Sequence, residues 1–346
     1  MQFPIFLIAL LSALLFGAAT PISKSLLNHL SSFQLAGLLY IGAALGVIIL
    51  VIRDGKFTWP WRMDRKNAFR LFGAVIFGGM FGPLALLAGL RLAHASSVSM
   101  WLNLEMVATA ILGHFIFNDH LTRTGWLAAG GILLSAIILS SGEGSAGFLA
   151  GLLVTIACIC WGIDNHLTAL IDGITPAQST LWKGLVAGTT NLLIGISIAP
   201  LTGSIGIVIG ALMLGIFAYG FSIVLYITSA QHLGATRSQL IFSSAPFWGI
   251  LLSILILGDR FTWQLAFAIL LFVASLFLLM REQHQHGHIH ETILHDHPHH
   301  HDDGHHNHHD EDTSYGWHTH PHQHEFLRHA HPHMPDIHHR HSHSNE

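Results

Sequence analysis

Glu105 is the residue whose type and setting point most directly to chemistry. It lies eleven residues into an apolar run, between Met100-Trp101-Leu102 and Met106-Val107-Ala108. A charged group at the centre of a bilayer is costly, so it faces the bundle interior or a water-filled cavity. There a carboxylate can exchange a proton, contact a cationic solute, or simply bond to a neighbouring helix. Asp164 and Asn165 form a second polar pair near one end of a later apolar run, and Lys183 lies at a matching depth in the run after that. Two readings follow for Asp164 and Lys183: a structural ion pair between antiparallel helices, or a gate. Lys24, near the opposite end of the first run, can snorkel to the interface. His114 is nine residues from Glu105 and points away from it, on the face that carries Asn103, so a His–Glu relay within that helix is not expected. Trp161, Tyr219, Gln239 and Asn191 can line a cavity or simply pack. Cys158 and Cys160 are too close to bridge different elements and read as small buried residues.

The last 65 residues have a different chemistry. Of the 30 His in the chain, 24 follow residue 281. They include His284, His286, His288, His290, His295, His297, His299, His300, His301, His318, His320, His322, His324, His338, His339, His341 and His343. Alternating His-x-His brings imidazoles close along an extended chain, and neutral imidazole suits Ni²⁺, Zn²⁺, Co²⁺ and Cu²⁺. Having few large apolar residues, this tail cannot bury a core and should be disordered without a ligand.

These residues must be positioned by an unusually apolar body. The whole chain of 346 residues is 51% hydrophobic and only 10% charged, against about 25% charged in soluble domains. Residues 1–281 carry 13 Lys/Arg and 8 Asp/Glu, a net of +5, whereas 282–346 carry 2 and 11, a net of -9. Ten apolar runs are long enough to cross a hydrocarbon core: 4–22, 34–52, 69–90, 95–117, 124–141, 147–169, 179–199, 205–227, 236–257 and 263–281. Only helices satisfy their own backbone over such lengths in lipid. Met1-Gln2-Phe3-Pro4 lacks a basic n-region, so the first run reads as a span, not a cleaved leader.

The loop after the second run holds Arg53, Lys56, Arg62, Arg65, Lys66 and Arg70, which predicts a cytoplasmic loop. With ten spans, both termini lie on that side. Residues 94–139 align without a gap to 234–279 at a constant offset of 140, pairing Ser96 with Thr236, Asp119 with Asp259 and Thr122 with Thr262. Phe16-Gly17 matches Trp161-Gly162 at an offset of 145. Five spans per copy is an odd number, so the second copy enters the membrane inverted, an architecture typical of secondary transporters.

Phe16-Gly17…Pro21…Lys24, Asn118-Asp119-His120-Leu121-Thr122, Gly258-Asp259-Arg260-Phe261-Thr262 and Ala245-Pro246 resemble, in order and spacing, the motifs of EamA-type transporters of the drug/metabolite transporter superfamily. Phe replaces the usual Trp in the first motif, Asp replaces Glu in the two repeated motifs, and Glu105-Met106 stands where the first copy would carry its Pro. Asn103-Leu104-Glu105, Asp164-Asn165 and the His-rich tail together resemble one branch of that family. The resemblance covers residues 5–280 and implies a carrier of small organic solutes, often an exporter.

The expected molecule is therefore an all-α integral membrane protein: a five-helix repeat over 1–141, an inverted copy over 142–281, and a disordered cytoplasmic tail over 282–346. No nucleotide-binding, P-loop or Ser–His–Asp pattern stands in the body, so an enzyme is not expected and transport should run on a gradient. The expected cavity residues are Glu105, Asn103, Asp164, Asn165, Lys183 and Trp161. No cofactor is required; a divalent transition metal can occupy the tail. The expected partners are the bilayer of a bacterial-type inner membrane, a small solute, metal ions and a second copy in a homodimer, with no nucleic acid. Two other functions fit the residues: a transition-metal transporter using the tail as collector or sensor, and a membrane-anchored metal buffer that transports nothing. The inverted repeat argues against the buffer.

Overall fold

A computed structural model of the chain describes residues 3–53, 57–116, 123–171, 174–233 and 241–280 of the body, and the backbone of 284–290, 294–299, 318–323 and 327–333 of the tail. The body is helical: α1 Phe3–Gly17, α2 Ala19–Leu26, α3 Ser32–Arg53, α4 Arg65–Ala74, α5 Gly82–Leu92, α6 Ala95–Trp101, α7 Leu104–Ile116, α8 Arg123–Gly142, α9 Gly144–Ala169, α10 Pro176–Ile198, α11 Ile205–Leu214, α12 Ser222–Leu233, α13 Ala245–Leu252 and α14 Trp263–Met280. Among the described residues, collinear pieces combine into eight helices long and apolar enough to cross a membrane, with shorter apolar helices at Ala245–Leu257 and Trp263–Leu278. They follow the ten expected runs in order.

Local chemistry sets several helix starts. The Asp64 carboxylate accepts from the backbone N–H groups of Lys66 (2.9 Å) and Asn67 (3.1 Å) and caps α4. The Asn67 backbone and side-chain donors hold the Asp64 carboxyl below the usual carboxylate range. Thr175 accepts from Gln178 N–H at the start of α10, with Pro176 next in the chain.

The packing repeats itself. The third and eighth spans each widen into a π-helical turn, at Val75–Phe81 and Gly215–Phe221, which are 140 residues apart. α5 packs on α9 as α12 packs on α1; the first π turn packs on α10 as the second packs on α3; α7 meets α9 as α13 meets α1. At the centre α3 crosses α10 where Gly184 and Gly188 meet the backbone of Tyr40 and Ile41, and Gly37 meets that of Leu192. Small residues at such crossings let backbones approach in lipid, where close packing replaces hydrophobic drive. Leu193, Ile49, Ile52, Leu255 and Leu270 stay mostly exposed, as befits side chains facing lipid tails. Near the basic loop, Trp59 stacks on Trp61 (4.6 Å) and lies 5.6 Å from Trp182, an aromatic cluster suited to a membrane interface.

The fourth span is not continuous. α6 ends at Trp101, the chain turns through Leu102-Asn103, and α7 starts at Leu104. Asn103 Nδ2 donates back to Met100 O (3.0 Å), while Glu105 N–H and Met106 N–H donate three residues back, to Leu102 O and Asn103 O. The ninth span turns one residue beyond the corresponding place, at Ser243-Ser244, before α13.

In the tail, β1 (His284–His290) pairs antiparallel with β4 (Leu327–His333), and β2 (Leu294–His299) with β3 (His318–Gln323), one ribbon nested inside the other in chain order. A two-stranded ribbon without a covering layer is marginal in water. Little free energy therefore separates this pairing from the disorder that composition leads one to expect.

Candidate transport site

Glu105 sits in the first turn of α7, beside the break, where the helix dipole favours negative charge. Asn165 Nδ2 of α9 donates to Glu105 Oε1 at 2.9 Å. Asn165 is exposed and Glu105 half-buried. Gly162 permits this approach of α7 and α9, since a side chain there would meet Thr109 N and Leu112. One turn on, a His166 ring nitrogen lies 3.0 Å from Thr109 O.

Asp164, the neighbour of Asn165, faces the other way. Lys183 Nζ of α10 lies 2.9 and 3.1 Å from its two carboxylate oxygens, and Thr168 Oγ1 donates to it at 2.8 Å. This pair lies against the first π turn, where a side chain at Gly78 would occupy the place of the Asp164 carboxylate. Pro83 explains what surrounds it. Lacking an N–H, Pro83 can serve neither the carbonyl four residues back, Gly79, nor the one five back, Gly78. Asn191 Nδ2 donates to Gly79 O at 3.1 Å, and Tyr40 OH and Trp161 Nε1 donate to Gly78 O at 2.5 and 3.2 Å. Aromatic contacts run onward from there: Tyr40 to Tyr219, Tyr219 to Phe16, Phe16 to Phe242 and Phe242 to Tyr226. They join spans one, two, eight and nine.

The structure therefore brings Glu105 to Asn165 and Asp164 to Lys183. It does not bring Asn103 to either pair; that residue is buried on its own helix end. Trp161 and Asn191 are buried on backbone carbonyls. His114 packs edge-on to Trp126 at 5.5 Å. Lys24 is not free at an interface: its Nζ donates to Leu90 O (2.6 Å) and Ala93 O (3.0 Å), the carbonyls left open where α5 ends. Cys158 is buried at the break, its Sγ 3.8 Å from Trp101 O. Gln239, Asp119, Thr122 and Thr236 lie outside the described residues, as do His300, His301, His324, His338, His339, His341 and His343. Among the described residues, no group of three or more His, Cys, Asp or Glu could hold a metal ion. The carbonyls of Gly78 and Gly79 were missed from the sequence, although Pro83 in an apolar run signals freed carbonyls.

The sequence pattern of the EamA-like transporter family matches residues 3–141 and again 148–281. The chain is 22% identical over 293 residues to an uncharacterized transporter of Methanothermobacter thermautotrophicus, covering 78% of this chain and 83% of that protein. It is 24% identical over 286 residues to the uncharacterized inner membrane transporter YicL of Salmonella typhimurium, covering 78% and 93%. A crystal structure matches 82% of this chain and all of its own, with a TM-score of 0.55 at 16% identity, a likeness of fold alone.

Proposed function

Since the chain belongs to the EamA-like transporter family, we propose that it is a secondary active carrier that exports a small organic solute. It resides in a bacterial-type inner membrane with both termini in the cytoplasm. The observation that carries this reading is the Glu105–Asn165 pair at the start of a half-helix, with Asn165 exposed and Glu105 half-buried. Broken helices place backbone charge at the midplane, where carriers bind solutes and coupling ions. Glu105 takes a proton or the cationic group of the solute, and Asn165 holds the carboxylate in place. The Asp164–Lys183 pair, seated on Gly78, works as a gate between α9 and α10. The five-helix divisions, 1–141 and 142–281, are the two bodies that rock. The test is a resistance screen of cationic and zwitterionic solutes in cells producing the full chain or Glu105→Gln at matched levels. Protection by the full chain and its loss in Glu105→Gln supports the reading; equal protection removes Glu105 from it.

The tail is a metal-binding appendage in this reading. The strand register supports it. His284, His286 and His288 stand opposite His333, His331 and His329, and His295, His297 and His299 stand opposite His322, His320 and His318. Pro298, Pro321 and Pro332 all fall on the alternate positions, where a strand of a two-stranded ribbon needs no N–H. Every His of the four strands thus stands at an alternate position of its strand. Ni²⁺, Zn²⁺, Co²⁺ or Cu²⁺ bound across a ribbon would add the binding free energy that such a coreless hairpin lacks.

A further inference from the structure

The second copy of the Asp-x-x-Thr motif makes a cluster of carboxylate contacts at one end of the bundle, apart from the Glu105–Asn165 and Asp164–Lys183 pairs. Asp259 follows Gly258, whose φ of +70° turns the chain back at the end of the ninth span. The Asp259 side chain is only 8% exposed. Its Oδ2 accepts from Ser96 N–H at 2.9 Å, and its Oδ1 lies 3.2 Å from His94 Nδ1. Glu143, from the α8–α9 junction, accepts from His94 N–H at 3.3 Å and from the Ser97 hydroxyl. Two carboxylates, one from the joint between the repeats and one from the second repeat, therefore hold the first turn of α6. Just before that turn, Lys24 holds the end of α5 through Leu90 O and Ala93 O. α6 leads directly to the break and to Glu105.

We propose that Asp259 and Glu143 are the latch that seals this end of the transport pathway, by fastening α6 to the ninth–tenth span loop and to the α8–α9 junction. Opening at this end releases the four carboxylate contacts, and α6 moves away from α13. The motif is the right chemistry for this: carboxylates bond strongly to free N–H groups at a helix start, and those bonds are replaced by water when the end opens. The proposal rests on the transporter reading above, and on its topology only for the side of the membrane concerned.

Ser99 reports the opening, because its hydroxyl packs against Gly249 of α13. The experiment uses the full chain with Cys158→Ala, Cys160→Ala and Ser99→Cys, labelled by a membrane-impermeant maleimide applied to intact cells or to everted vesicles. Adding Asp259→Asn and Glu143→Gln should raise the labelling rate about tenfold from one side only, the effect of weakening charge-assisted bonds by about 1.4 kcal/mol. A rise from outside supports both the latch and the topology. A rise from the cytoplasmic side supports the latch and overturns the topology. An unchanged rate from both sides overturns the latch. A second measurement does not depend on the fold of that variant: Ser96→Cys with Asp259→Cys should be joined by a short bifunctional thiol reagent in native membranes, and joining should suppress labelling in a chain that also carries Ser99→Cys. Failure of the two to join overturns the latch.

Discussion

The two repeats share a backbone plan and differ in chemistry. Their π turns are 140 residues apart and their interhelical contacts mirror one another. At the same offset, however, Glu105 corresponds to Ala245, and Gly78, the seat of Asp164, corresponds to Ala218. Asp164 itself corresponds, at the offset of 145, to Ala19. The carboxylates Glu105, in the first repeat, and Asp164, in the second, each correspond to an alanine in the other repeat. Symmetry here builds the scaffold, while the buried or half-buried carboxylates are placed once; in the function proposed above, these are the groups that recognise or couple.

The largest effect expected from this asymmetry is at Asp164. Asp164→Ala leaves Lys183 without its carboxylate in a mostly buried place, and loss of one partner of a buried pair costs about 3–5 kcal/mol. Asp164→Leu with Lys183→Met should recover most of that, measured as the melting temperature of purified protein in detergent. No recovery in the double variant would mean that the damage is not the stranded charge.

A smaller effect separates Gly78 from its counterpart. Gly78→Ala puts a methyl group where the Asp164 carboxylate sits, an overpacking worth about 1–3 kcal/mol. Ala218→Gly, on the other repeat, should cost about 1 kcal/mol through helix propensity. Melting of the two variants side by side tests this; equal losses would erase the difference between the halves.

The smallest effect on the body is expected from the tail. A chain ending at residue 282 should melt unchanged and keep its solute flux in chelated buffer, while losing nearly all Ni²⁺ and Zn²⁺ binding measured by calorimetry. In the full chain, that binding should collapse below about pH 6, as imidazoles take up protons and cease to be ligands. Loss of flux on truncation would make the tail part of the transport machinery.

Much of this could be read from residues alone, for identifiable reasons. Ten apolar runs and the repeat depend only on composition and spacing. Glu105 is visible because a charge in an apolar run has few affordable places. Asp164 and Lys183 could be matched because equal depths on antiparallel neighbours are countable. The break at Leu102-Asn103 was not visible, because nothing in that apolar run forbids a continuous helix; the turn is held by Asn103 and by packing from α9. The choice of Asn165, not Asp164, as the partner of Glu105 depends on the rotation of α9. The role of Lys24 depends on where α5 stops: a one-turn shift would have left the ammonium in the interface, as its position suggested.

The claim that one carboxylate, present in only one repeat, couples transport is tested most directly in proteoliposomes holding the solute that the screen identifies. Two fluxes are measured for the full chain and for Glu105→Gln: accumulation driven by an imposed pH gradient, and solute-for-solute exchange without one. Glu105→Gln should lose accumulation by at least about tenfold, the equivalent of ~1.4 kcal/mol, and retain a measurable exchange. Accumulation equal to that of the full chain would contradict the account.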